Sequence, residues 1–91
     1  MTFSNTAIPR LHQHLRFQWE PAQDCYVLLY PEGMVKLNGS AGEIMAACDG
    51  ERNVAAVTAF LMDKYPDVPH IGEDIAAFLE TACDNNWLII E

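Results

Sequence analysis

The chain has 91 residues, 51% of them apolar, enough for one small domain that buries roughly 60–65% of its unfolded surface and too few for a second. Thirteen acidic residues against five basic ones leave a net charge of −8, the wrong sign for gripping phosphates or an anionic bilayer, which argues against nucleic acid or membrane as partner. No apolar run nears the roughly 18 residues of a membrane span, and the first ten residues lack the basic and apolar regions of a signal peptide, so a cytoplasmic domain is expected.

Residues 1–8 show no periodicity and read as a flexible tail, and residues 9–91 as a single domain. From Pro9 to Leu15 the sequence suits either an extended arm or a short helical turn. Arg16-Phe17-Gln18-Trp19-Glu20 alternates polar and large apolar residues, the pattern of a half-buried strand, and Pro21 ends it. Cys25-Tyr26-Val27-Leu28-Leu29-Tyr30 is apolar on both faces and suits the central strand of a three-stranded antiparallel sheet. One of its faces can pack on helices; the other needs an arm, a partner or a ligand over it. In Tyr30-Pro31-Glu32-Gly33-Met34, Pro31 fixes its own φ and Gly33 accepts a positive φ, which makes a tight turn into a third strand, Met34 to Leu37. If that strand lies at the edge of its sheet, its unpaired backbone groups can accept a peptide as an added strand.

Asn38-Gly39 turns the chain, and Ser40-Ala41-Gly42-Glu43 has the form of a capping box opening a helix at about Ala41. Ile44, Met45 and Cys48 make its apolar stripe, and Gly50 suits a left-handed stop. Asn53 caps a second helix with apolar positions Val54, Val57, Phe60, Leu61 and Tyr65, closed by Pro66. A third helix runs from about Gly72 to Asn85 with Glu73 and Asp74 in its first turn and Ile75, Phe78, Leu79 and Ala82 as its stripe. Trp87 to Ile90 is a short apolar segment that suits a strand. The order predicts an α+β fold with a winged-helix-like arrangement, a three-stranded antiparallel sheet followed by three helices. The charge is uneven along it: Arg10, Arg16 and Lys36 balance Glu20, Asp24 and Glu32, so the whole acidic excess falls in the helical half.

Catalytic machinery is not visible. Cys25, Cys48 and Cys83 are odd in number, widely spaced and set among apolar neighbours, as reduced core thiols are. His12 and His14 share a face if extended, but no ligand stands beside them in sequence, and His70 reads as a surface residue. The acids at the helix ends suit solvation and the helix dipole. There is no Gly-rich phosphate loop and no cysteine triplet, so no cofactor and no metal are expected.

Arg16 to Glu20, the run Tyr26-Val27-Leu28-Leu29-Tyr30-Pro31-Glu32-Gly33-Met34-Val35-Lys36-Leu37-Asn38, Ser40 to Ile44, Cys48-Asp49-Gly50, and Phe78-Leu79 with Trp87 together resemble the PqqD family of pyrroloquinoline quinone (PQQ) biosynthesis. The resemblance covers roughly Pro9 to Ile90. It implies a non-catalytic peptide chaperone that binds the precursor peptide PqqA and presents it to PqqE, a radical S-adenosylmethionine (SAM) enzyme that joins a Glu and a Tyr of the peptide. It further implies a RiPP recognition element, in which the peptide pairs with the third strand in a groove bordered by the third helix. Carried onto this chain, the peptide would pair with Met34, Val35, Lys36 and Leu37. Ala76, Leu79, Glu80 and Cys83, at i, i+3, i+4 and i+7, would line the groove. Leu79 also suits plain core packing, and Lys36 suits either a peptide carboxylate or a guard against edge-to-edge association.

Two other classes remain open on sequence. One is an oligomerisation module whose edge strand pairs with its own copy, and a monomer or weak homodimer is compatible with either use of the edge. The other is a winged-helix regulator of nucleic acid, which the acidic third helix disfavours.

Overall fold

The computed structural model describes residues 3–37 and 39–90; the expected turn residue Asn38 lies outside them. Strands β2 (Arg16–Glu20), β3 (Cys25–Tyr30) and β4 (Gly33–Leu37) form an antiparallel sheet in the order β2-β3-β4. Opposite residues share a face, so the pairs Phe17↔Leu28, Trp19↔Tyr26, Val35↔Leu28 and Leu37↔Tyr26 put the aromatic and aliphatic side chains of all three strands on one side. That side meets the helices. The remaining arm is extended: β1 (Pro9–Leu11) pairs antiparallel with β5 (Leu88–Ile90), Pro9 opposite Ile90.

The helices are α1 (Gly39–Ala47), α2 (Val54–Lys64) and α3 (Ile71–Asp84). Their buried residues Ile44, Met45, Val57, Leu61, Ile75, Leu79 and Ala82 close with Leu28 and Leu37 of the sheet and Leu88 of β5 into one core. The stop after α3 has a clear local cause. Asn86 takes φ 61°, its N–H donates to the Cys83 carbonyl, and the Trp87 N–H donates to the Ala82 carbonyl at 2.8 Å. These two bonds make a Schellman motif with asparagine in the left-handed position. Gly50 takes φ 84° after α1, as expected of it.

Several expectations are corrected. Gly33 is drawn into the ladder opposite Tyr30, leaving Pro31 and Glu32 as the loop; Gly50 is the positive-φ glycine among the described residues. α1 begins at Gly39, so Ser40 stands inside its first turn, and the Glu43 carboxylate reaches α2 rather than back along its own helix. Its Oε1 accepts from Lys64 Nζ at 2.8 Å and from the Tyr65 hydroxyl. Phe60 is 41% exposed with the Arg52 guanidinium 4.3 Å over its ring, outside the core stripe assigned to it.

The N-terminal segment also departs from the expected tail. The Ala7 carbonyl accepts from Val54 N–H at 2.8 Å and the Asn5 carbonyl from Ala55 N–H at 3.0 Å, while the Asn53 side chain accepts from Ala56 N–H at 2.8 Å. Three of the amides that a helix start leaves without intrahelical partners are thereby bonded, and Ala7 is buried.

Helix α1 crosses the sheet at Gly42, where an added Cβ would stand 2.8 Å from Tyr26 Cδ2 and 3.2 Å from Tyr26 Cβ. Gly42→Ala is expected to lower stability by about 1 kcal/mol net, since overpacking of about 1–3 kcal/mol outweighs the helix-propensity gain of up to about 1; urea denaturation measures it. Glu43 is held below its ordinary value of 4.5 by the bonds from Lys64 and Tyr65. A depressed carboxylate adds stability above its unfolded pKa and loses it as pH falls through the folded one. Glu43→Gln is therefore expected to cost about 1 kcal/mol at neutral pH, with the gap closing as pH falls below 4.5.

Candidate functional site

Strand β4 is an edge of its sheet. β3 pairs along one side of it over the full run Gly33 to Leu37, and in an antiparallel ladder alternate residues direct their N–H and C=O groups outward. Val35 and Leu37 turn toward the helices, half-buried and buried. Met34, 45% exposed, and the exposed Lys36 turn away on the sheet's other face. The four strand residues expected at a peptide site thus lie together on an open edge.

The four expected from α3 do not line a common surface with them. Leu79 is fully buried in the core. Cys83 packs against that core with its sulfur beside the Ile90 backbone of β5. Ala76 is exposed and Glu80 half-buried on that same flank. On the other flank of the helix, Ile71, Asp74 and Ile75 line a space shared with Trp19, Tyr26 and Leu37 of the sheet. The Phe78 ring lies 6.4 Å from that of Trp87, and the Trp87 indole N–H donates to the Tyr30 hydroxyl.

Between this flank of α3 and the sheet lies a cavity of about 620 Å³. Tyr26, Leu37, Ile44 and Ile75 form its apolar interior, with Leu37 the one residue of the expected eight that lines it. Trp19 and Val68, 49% and 43% exposed, stand on its lining from β2 and from the loop between α2 and α3. Trp19 packs edge-on against Tyr26, ring centroids 5.1 Å apart, and Phe17 stacks on Tyr26 at 4.7 Å. Asp24, Glu43 and Asp74 bring carboxylates to the lining. Of these, Glu43 holds Lys64, a cation thereby engaged within the fold.

Sequence reasoning missed Trp19, Val68, Ile71 and Asp74. Only Trp19 carried a signal, a large aromatic near the end of an alternating strand. Two of the thiols are unsuited to nucleophilic chemistry: burial pushes Cys48 up to about 12 and raises Cys83 as well. The His12 and His14 rings lie 4.9 Å apart, and among the described residues no group of three His, Cys, Asp or Glu side chains could hold a metal ion. No helix among them is long and apolar enough to cross a membrane. The arrangement offers binding, by backbone pairing along β4 and by an apolar cavity at the Leu37 end of that strand.

The comparisons agree on kinship. Residues 25–88 match the model of the family described as coenzyme PQQ synthesis protein D (PqqD). A PqqA binding protein of Pseudomonas aeruginosa (strain UCBPP-PA14) is 58% identical over 93% of this chain and 92% of its own length, and one of Azotobacter vinelandii is 53% identical over 89% and 88%. Among solved structures, the NMR structure of the PqqD truncation of Methylobacterium extorquens PqqCD, a stand-alone RiPP recognition element, superposes with a TM-score of 0.74 at 27% identity. That match covers 96% of this chain and 94% of the other. The chain belongs to the PqqD family.

Proposed function

We propose that this protein binds the precursor peptide PqqA as an added strand along β4 and presents it to the radical SAM enzyme PqqE in PQQ biosynthesis. The observation that carries the binding is the 58% identity, over nearly the whole chain, to a protein named for PqqA binding. The mode is supported by β4 itself, an edge strand of five residues with no strand paired along its outer side among the described residues. Backbone pairing supplies sequence-tolerant affinity. Ordering a flexible peptide opposes binding, so micromolar or somewhat tighter affinity is expected, suited to cargo that must be handed on. The same edge can pair with a second copy, but the charge of −8 opposes self-association, and a monomer or weak homodimer is expected.

Hydrogen exchange tests the pairing without altering the fold. With synthetic PqqA bound, every second amide of Gly33–Leu37 is expected to become protected while its neighbours, already bonded to β3, change little. Saturable binding without that alternation would sink strand addition. Presentation rests on the acidic helical half meeting a basic face of the enzyme. The paired change Asp63→Lys with Asp84→Lys is expected to weaken binding to PqqE at low salt and leave PqqA affinity unchanged, as calorimetry against each partner would measure; unaltered PqqE binding removes that support.

A further inference from the structure

We propose that the outward face of α2, built by Ala55, Ala59, Phe60 and Met62, is the docking surface for PqqE and takes an apolar helix of the enzyme edged by Lys or Arg. The proposal rests on presentation of the peptide to PqqE and names the surface on which that contact is made.

Composition sets α2 apart. A surface helix ordinarily carries charge on the side away from the core, yet from Val54 to Met62 this one has none, in a chain whose net charge is −8. Val57 and Leu61 take the buried side. Ala55, Ala59 and Met62 follow one line away from it, at i, i+4 and i+7, and all three are exposed. Met62 is 50% and Phe60 41% exposed, and contiguous apolar exposure of this kind marks a contact surface. The alanines form a floor low enough for close approach of a second helix, and Met62 offers a side chain that adapts to what lies on it. The Phe60 ring is already positioned. The Arg52 guanidinium stands 4.3 Å over it, held in turn by Asp49 at 3.2 Å and by the Ala47 carbonyl at 3.1 Å.

Position suits an enzyme that works on a peptide held elsewhere. Helix α2 packs on α1 and α3, and Leu61 on its buried side lines the space next to the sheet. Ala59, two residues earlier, stands on the reverse of the helix, since each residue turns it by about 100°. A partner seated there leaves the edge of β4 open, so peptide and enzyme can be held at once.

Charge selects the occupant. Glu51 precedes the helix, Asp63 closes the face and Asp67 follows, all exposed. The cations at the two ends are engaged within the fold, Arg52 with Asp49 and Lys64 with Glu43. The rim therefore attracts Lys and Arg around an apolar centre, and a second copy of this acidic chain is a poor fit.

The test on the unaltered protein reads the methionine methyls by NMR, with the chain methyl-labelled and saturated with synthetic PqqA, as unlabelled PqqE is added. Met62 is expected to shift, whereas Met34, on the far face of the sheet, and the buried Met45 hold their positions. The paired change Ala59→Gln with Met62→Gln alters no charge and places good helix formers at exposed sites. It is expected to weaken PqqE binding at least about tenfold, by the same factor at low and high salt, and to leave PqqA affinity unchanged, as calorimetry against each partner measures. Retained PqqA binding also shows that the variant is folded.

PqqE binding without a shift at Met62 overturns the assignment, wherever else shifts arise, and so does full PqqE affinity in the doubly substituted protein. A Met62 shift on concentrating the protein alone gives the face to a second copy and overturns it too. If PqqE moves none of the methyls and calorimetry finds no binding to the wild-type protein, it is presentation, in the proposed function, that fails.

Discussion

Gly42 over the Tyr26 ring holds α1 close against the sheet, and the positions of the other elements depend on it. With no side chain at Gly42, α1 settles onto β3 with the Tyr26 ring within 3 Å of where a Cβ would be. The helix thereby seals the middle of the sheet and buries Leu28 completely. The sheet face is wider than one helix, however, and α2 and α3 are tied to α1 by their own buried stripes. The end of the sheet carrying Trp19, Tyr26 and Leu37 is therefore covered more loosely, by the first turns of α1 and α3 and the loop between α2 and α3. Tight contact at one point leaves open space beside it, and the space opens at the end of the unpaired strand.

Charge obeys the same division. The chain through Lys36 is neutral overall, and the excess of eight negative charges lies beyond it, in the helical half. An edge strand near neutrality can take a peptide of varied sequence without a large electrostatic penalty. The acidic helices repel copies of the same chain and favour basic surfaces. The Glu43 contacts with Lys64 and Tyr65 fasten α1 to α2 at the cavity wall and remove a cation from that wall.

Much of the fold was legible because its local signals are strong. Alternation from Arg16 to Glu20, the doubly apolar run Cys25 to Tyr30 and the stripes of α1 and α3 each specify an element, and the structure keeps all of them, although Trp19 on the apolar face of β2 is half-exposed. The illegible parts depend on backbone groups or on tertiary choice. The carbonyls of Asn5 and Ala7 cap α2, and a carbonyl has no sequence signature, so that segment reads as loose. Strand β1 has three residues, too short for a period to emerge, whereas β5, equally short, was legible as an apolar segment suited to a strand. Phe60 sits at helical spacing for the core yet lies outside, under Arg52. On α3 the stripe was correct, but a buried stripe has two flanks. Ala76, Glu80 and Cys83 lie on the flank that faces β5, whereas Ile71 and Asp74 lie on the one that lines the space beside the sheet. Helical spacing alone cannot tell these apart. The edge of β4, by contrast, was readable from the hairpin and from the switch to helix after it.

Pairing of Pro9 with Ile90 has an architectural consequence. The two ends of the fold share one short ladder, so the chain enters and leaves the domain at a single place. A module closed in this way can be joined to a longer polypeptide at either end, or spliced into a surface loop of one, without stretching its core or disturbing its open strand. The Methylobacterium extorquens relative, cut from PqqCD and still of matching fold, shows such a unit standing alone after separation. A fold whose first and last strands pair can be carried beside other domains while its scaffold stays the same.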